Sequence, residues 1–179
     1  MSVLVADING IPVSGAVVSL SVWPIAWSTG WDCMYDPDGK RWNGDTPATF
    51  TAGNYGTYLN EDRNENLILD SSPPPAEDGR RVYYYGTLPA ALTPGTTDGF
   101  ITPTNSAGGS VPTTATTGTD GVATFNLTYP KNSAIWTVVR VRATTIVQGS
   151  ETVGQINFRL NALESDANPC RLGNSPYTY

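Results

Sequence analysis

Four oxygen-bearing side chains, Asp62, Asn64, Asn66 and Asp70, stand at relative positions 1, 3, 5 and 9 of a calcium-loop pattern. The backbone carbonyl of Ile68 falls at position 7. Alternate oxygens in a tight loop converge on one point, which is what a hard cation requires. The pattern departs from the ideal twice. Position 6, where glycine is expected, is Leu67, and position 12, where a bidentate glutamate is expected, is Pro73. Leu67 in a left-handed conformation would cost about 1–2 kcal/mol. Glu77 or Asp78 could supply the missing carboxylate beyond the proline turn. The competing reading is a loop rich in Asx turns without metal.

The other chemistry-bearing groups are sparser. Histidine is absent, which removes Ser-His-Asp and Cys-His nucleophiles and the commonest zinc ligand. No pair among the 16 Asp and Glu is marked by spacing or apolar surroundings for acid–base work, so no catalytic residue is expected and the chain does not read as an enzyme. Two cysteines, Cys33 and Cys170, allow one disulfide, or stand as two separate thiols in a reducing compartment. Trp27, Trp31, Trp42 and Tyr84 offer flat faces that could stack on sugar rings, or form a small core of their own.

The elements that must hold these groups are strands. Eighteen Gly, 14 Pro and many Thr and Val favour short strands and turns over helices. Alternation predicts strands in 3–7, 17–22, 113–119, 122–127, 136–146 and 152–160, separated by turns at Asn9–Gly10, Asp120–Gly121 and Gln148–Gly149. Strands at such spacings are a sandwich signature. The inward positions are Val5, Val18, Leu20, Phe125, Leu127, Val139, Val141, Ile156 and Phe158. Between about 23 and 110 the pattern gives way to aromatics among Gly, Asp, Asn and Pro, too long for a plain loop and read as an insertion. It carries one strand pattern, 81–85, and residues 161–179 form a polar tail. The expectation is a single domain over 1–179, with the sandwich strands in 3–22 and 110–160.

A net charge of −6 opposes nonspecific nucleic-acid binding, which needs clustered Lys and Arg. No run of about 18 apolar residues is present, so no membrane insertion of this segment is expected.

Asp7, Gly10, Pro12, Val13, Gly15, Ala16, Val18 and Leu20, with Thr119, Asp120, Gly121, Ala123, Thr124 and Phe125 later in the chain, resemble the bacterial immunoglobulin-like domains of the invasin/intimin type. The acidic loop around Asp62 is also similar to a segment inserted in some proteobacterial surface proteins with such domains. The resemblance implies an all-β, Ig-like Greek-key sandwich with a long aromatic-rich insertion. It implies a structural or adhesive module of a larger exported protein, acting as a spacer or protein-interaction domain at the cell surface. Its expected partners are neighbouring Ig-like domains or a surface protein. A carbohydrate-binding module using the aromatic group is the alternative. Extracellular calcium as cofactor and an oxidised Cys33–Cys170 pair, pinning tail to insertion, agree with export. Strand pattern begins directly after Met1, which under this resemblance reads as a domain taken from a longer exported chain.

Overall fold

The structure, a computed structural model, describes residues 1–28, 35–36, 41–42, 57–69, 100–163 and 175–177. Of 35–36, 41–42 and 57–58 only the backbone is described. The strands are β1 (Ser2–Leu4), β2 (Val17–Ser28), β3 (Tyr35–Asp36), β4 (Arg41–Trp42), β5 (Thr57–Leu59), β6 (Thr114–Thr116), β7 (Val122–Thr124), β8 (Thr137–Val147) and β9 (Ser150–Arg159). Two short 3-10 turns, Asn105–Gly108 and Lys131–Ser133, are the only helical elements among the described residues. The protein is all-β, and every strand pair is antiparallel.

The main sheet runs β5-β2-β8-β9, with β6 also on β2. A second sheet joins β1 to β7, and β3 pairs β4 separately. The first two sheets face each other over one core of Val5, Val18, Leu20, Ala123, Phe125 and Val141. These positions alternate with polar ones along each strand, so period two alone sends them inward. Leu127 and Phe158 pack on the rim of this core, and Val139 is fully buried.

Ile156 departs from the expectation. It pairs with buried Val141 in register, yet it is 55 % exposed. It lies on the core face of β9, but no described strand of the β1–β7 sheet reaches across to cover it. Alternation identifies a face of a strand; it does not say how far the opposite layer extends.

The other difference is β2, which runs to Ser28, past Val22 where the alternation fails and past the expected start of the insertion at about 23. Its register against β8 shifts between Pro24 and Ala26. This bulge inverts the inward and outward positions, so Ala26 and Val138 form a second small core with Ile25 and Leu59 on the opposite face of the sheet. Pro24 is tolerated because the ladder phase turns its missing N–H away from β8. Trp23 and Trp27 are therefore sheet residues. The strand pattern at 81–85 lies outside the described residues.

The two motif segments meet in space. β1 pairs β7, with Val3 opposite Ala123, and the Val5 N–H donates to the Gly121 carbonyl at 2.9 Å. Gly121 has φ 73°, and a Cβ there would lie 2.7 Å from the Val5 carbonyl oxygen and 2.8 Å from Pro12 Cβ. Both the turn and the close approach require glycine. Asp7 closes the opposite turn, its Oδ1 accepting the N–H groups of Asn9 and Ile11, both at 2.9 Å.

Candidate functional site

The 60–69 loop lies on the outer face of the main sheet, and its attachment begins at Asn60. This side chain is buried where β5 ends. Its Nδ2 donates to the carbonyls of Pro24 at 2.6 Å and Pro103 at 3.0 Å, and its Oδ1 accepts the Asp62 N–H at 2.8 Å. The Pro24 carbonyl is available because the phase of β2 directs it away from β8. One amide thus ties the bulge, the loop and the segment around Pro103 together.

Asp62 is 1 % exposed. Its Oδ1 accepts the Asn66 N–H at 3.1 Å and its Oδ2 accepts the Leu67 N–H at 2.7 Å. Asn64 Oδ1 accepts the same Asn66 N–H at 3.2 Å, and Asn66 Oδ1 accepts the Ile68 N–H at 2.8 Å. A buried carboxylate needs such donors. Charge-assisted bonds to backbone N–H are stronger than neutral ones, and they wrap the chain around Asp62. Two residues take left-handed backbone to allow it, Glu65 at φ 63° and Leu67 at φ 65°. The steric cost foreseen for Leu67 is thus incurred, and its side chain projects into solvent.

Glu65 gains a role from that conformation. Its Oε1 forms an ion pair with the buried Arg140 guanidinium, and its Oε2 lies 3.6 Å from Arg142 Nη1. Burial first, then the neighbouring Arg142 charge, lower the Arg140 pKa. Arg140 and Arg142 sit two apart on β8, so both face the loop. The sequence reading set a strand over 136–146 that includes both arginines but gave Glu65 no role. The available signal was two arginines at that spacing on a face shared with an apolar residue.

The loop brings Asp62, Asn64 and Asn66 into one turn, and of Ile68 it is the N–H, bonded to Asn66, that the turn engages. Asp70, Pro73, Glu77 and Asp78 lie outside the described residues. Among the described residues no cluster of three or more His, Cys, Asp or Glu occurs. Asp62 keeps lone pairs beyond its two N–H bonds, and the left-handed sixth position has the conformation that glycine supplies in calcium loops. In these two respects the residues fit a hard cation. The twelfth position does not supply its glutamate.

Of the aromatic group, Trp27 is 3 % exposed. Its ring centroid is 5.5 Å from that of Tyr177 at 53°. Tyr177 is held by Thr137, with the two hydroxyl oxygens 2.7 Å apart, and Ser175 Oγ donates to the Ser28 carbonyl at 2.7 Å. Burial raises the Tyr177 pKa, partly offset by hydrogen bonds with Thr137 and Ser133. Trp27 therefore offers no open face to a sugar, correcting its place in the expected platform. The side chain of Trp42, and Trp31, Tyr84, Cys33 and Cys170, lie outside the described residues.

No family model, curated protein or solved structure matches the chain. Among the described residues no helix is long and apolar enough to cross a membrane.

Proposed function

We propose that the chain is an Ig-like Greek-key module of a larger exported bacterial surface protein, acting structurally or adhesively as a spacer or protein-interaction domain. The observation that carries this reading is the junction of the two motif segments. Pro12, Val5 and Gly121 interlock where β1 meets β7, so residues separated by most of the chain form one unit. The paired sheets give that unit a continuous apolar core, suited to a rigid element that holds others apart. The 60–69 loop belongs to the same reading as a calcium clamp held by Asp62, Asn64, Asn66 and Ile68, joined by Asp70. Such an ion would stiffen the module in millimolar extracellular calcium.

Protease treatment of intact cells of the native host, followed by detection with antibody to this domain, tests the reading. The domain should be lost from intact cells while a cytoplasmic control protein survives. Recovery of the domain only from the cytoplasmic fraction would refute surface placement.

A further inference from the structure

Asn-Gly is the dipeptide most prone to spontaneous deamidation, and Asn9–Gly10 stands exposed at the tip of the turn that Asp7 closes. The reaction needs no enzyme. The Gly10 amide nitrogen attacks Asn9 Cγ and forms a new C–N bond. The bond from Cγ to the side-chain nitrogen breaks, and ammonia leaves with the proton that the Gly10 amide gives up. Water then opens the succinimide ring at either carbonyl, which yields aspartate or isoaspartate at position 9. Glycine favours the first step because no side chain screens the attacking nitrogen. Among the described residues nothing lies within 4 Å of where a Gly10 Cβ would stand.

The turn withholds that nitrogen. The Gly10 N–H donates to the Asp7 carbonyl at 2.9 Å, which occupies its proton and turns the nitrogen toward Asp7. The Asp7 N–H donates to the Ile11 carbonyl at 2.9 Å, and Asp7 Oδ1 accepts the N–H groups of Asn9 and Ile11, both at 2.9 Å. Asp7 is thus a partner in every one of these bonds. Loss of the Gly10 proton would set negative charge beside the Asp7 carbonyl oxygen and turn an attraction into a repulsion. Attack therefore waits on local opening of the turn.

We propose that Asn9 is a latent deamidation site guarded by Asp7, and that its conversion loosens the junction of β1 with β7. Isoaspartate routes the main chain through the side-chain carboxyl and lengthens it by one methylene between positions 9 and 10. Either product also adds a carboxylate two residues from Asp7, and like charges repel. The arms of the turn run straight into the junction. The Val13 N–H donates to the Val5 carbonyl at 2.9 Å, and Ala6 bridges Pro12. The Val5 carbonyl and Pro12 are the groups that close on Gly121. A turn that cannot reclose therefore unseats the contact that joins the two motif segments. This chemistry is independent of the proposed surface role.

Incubation of the whole chain at mildly alkaline pH, followed by mass spectrometry of tryptic peptides, tests the proposal. Asn9 is the only asparagine among residues 1–40, so the peptide ending at Lys40 reports it apart from Asn43–Gly44. The same chain unfolded in guanidinium chloride sets the unguarded rate. The native chain should convert at least about tenfold more slowly. Asp7→Ala should recover most of that factor with the sheet's circular dichroism unchanged, and Asp7→Asn, which keeps the acceptor oxygen, should stay near the wild-type rate. Native conversion as fast as unfolded overturns the proposal, and so does a folded Asp7→Ala that converts no faster than wild type. Should Asp7→Ala lose the sheet, the wild type decides alone. Its Gly10 amide should be slowed in hydrogen exchange along with conversion, and a freely exchanging Gly10 amide beside slow conversion overturns the guard. Converted chain, richer by one negative charge and separable by anion exchange, should unfold at a lower temperature; an unchanged midpoint overturns the link to the junction.

Discussion

Glu65→Ala isolates what holds the 60–69 loop on the sheet. The Arg140 side chain is 8 % exposed and that of Glu65 is 21 % exposed. Removing one partner of a buried pair leaves the other charge without compensation, at about 3–5 kcal/mol. Water reaches Glu65 in part, so the expected loss is near the lower end, about 3 kcal/mol. Arg142, at 36 % exposed, stays solvated and adds at most about 1 kcal/mol. The backbone separates charge from conformation, because Glu65 has φ 63°. Glycine adopts that conformation freely and alanine does not, so Glu65→Gly should be about 1 kcal/mol less damaging than Glu65→Ala. The paired replacement Glu65→Leu with Arg140→Met should cost less than either single change, because no charge is then stranded. Urea unfolding reads all five variants, the two single changes of the pair included, as a shift in midpoint at constant slope. A Glu65→Ala loss below about 0.5 kcal/mol, the range of ordinary surface substitutions, would refute the reasoning. Strict additivity of the double replacement would refute the coupling.

Phe125→Ala should destabilise by about 3–5 kcal/mol through an unfilled cavity between the two sheets, measured by the same unfolding. Burial raises the Tyr177 pKa, so the folded state holds that proton more tightly than the unfolded chain. Its contribution is complete below the unfolded pKa and is lost as pH rises through the folded one. The stability gap between wild type and Tyr177→Phe should therefore become less favourable to wild type as pH climbs past the ordinary tyrosine pKa of about 10, and a gap independent of pH would contradict the assignment. Calcium should raise the thermal midpoint over that in EDTA, Asp62→Ala should remove the rise, and Leu67→Gly should raise the midpoint in EDTA and in calcium alike by relieving the left-handed strain; identical midpoints with no heat of binding would leave an Asx-turn loop. Cys33 and Cys170 should resist alkylation in the denatured, unreduced protein, as mass spectrometry would show; full labelling of both would rule out the bridge.

The strands were legible wherever burial is one-sided. Val18, Leu20, Phe125 and Val141 were readable because each alternates with polar neighbours and each is buried. The reading failed at Pro24, where one bulge inverts the pattern and makes a continuous strand look like its end. It failed at Ile156 because the extent of a facing layer is a tertiary property. Within the loop, the spacing of Asp62, Asn64 and Asn66 was visible, and so was the strain at Leu67. The Glu65–Arg140 pair was not, because nothing local to either residue states that this loop lies over β8.

Asn60 reaches residues 36 and 43 positions away on either side in sequence. It works as a clasp at the waist of the long excursion between β2 and the 3-10 turn at Asn105–Gly108. With the clasp shut, the ends of the chain at Ser28 and Thr57 and those at Leu69 and Phe100 are held near one point of the sheet. The entropy of closing a loop grows only as the logarithm of its length. A change in the length of chain between either pair of ends therefore adds little closure cost. Asn60 and the carbonyls of Pro24 and Pro103 that it grips are what set those ends.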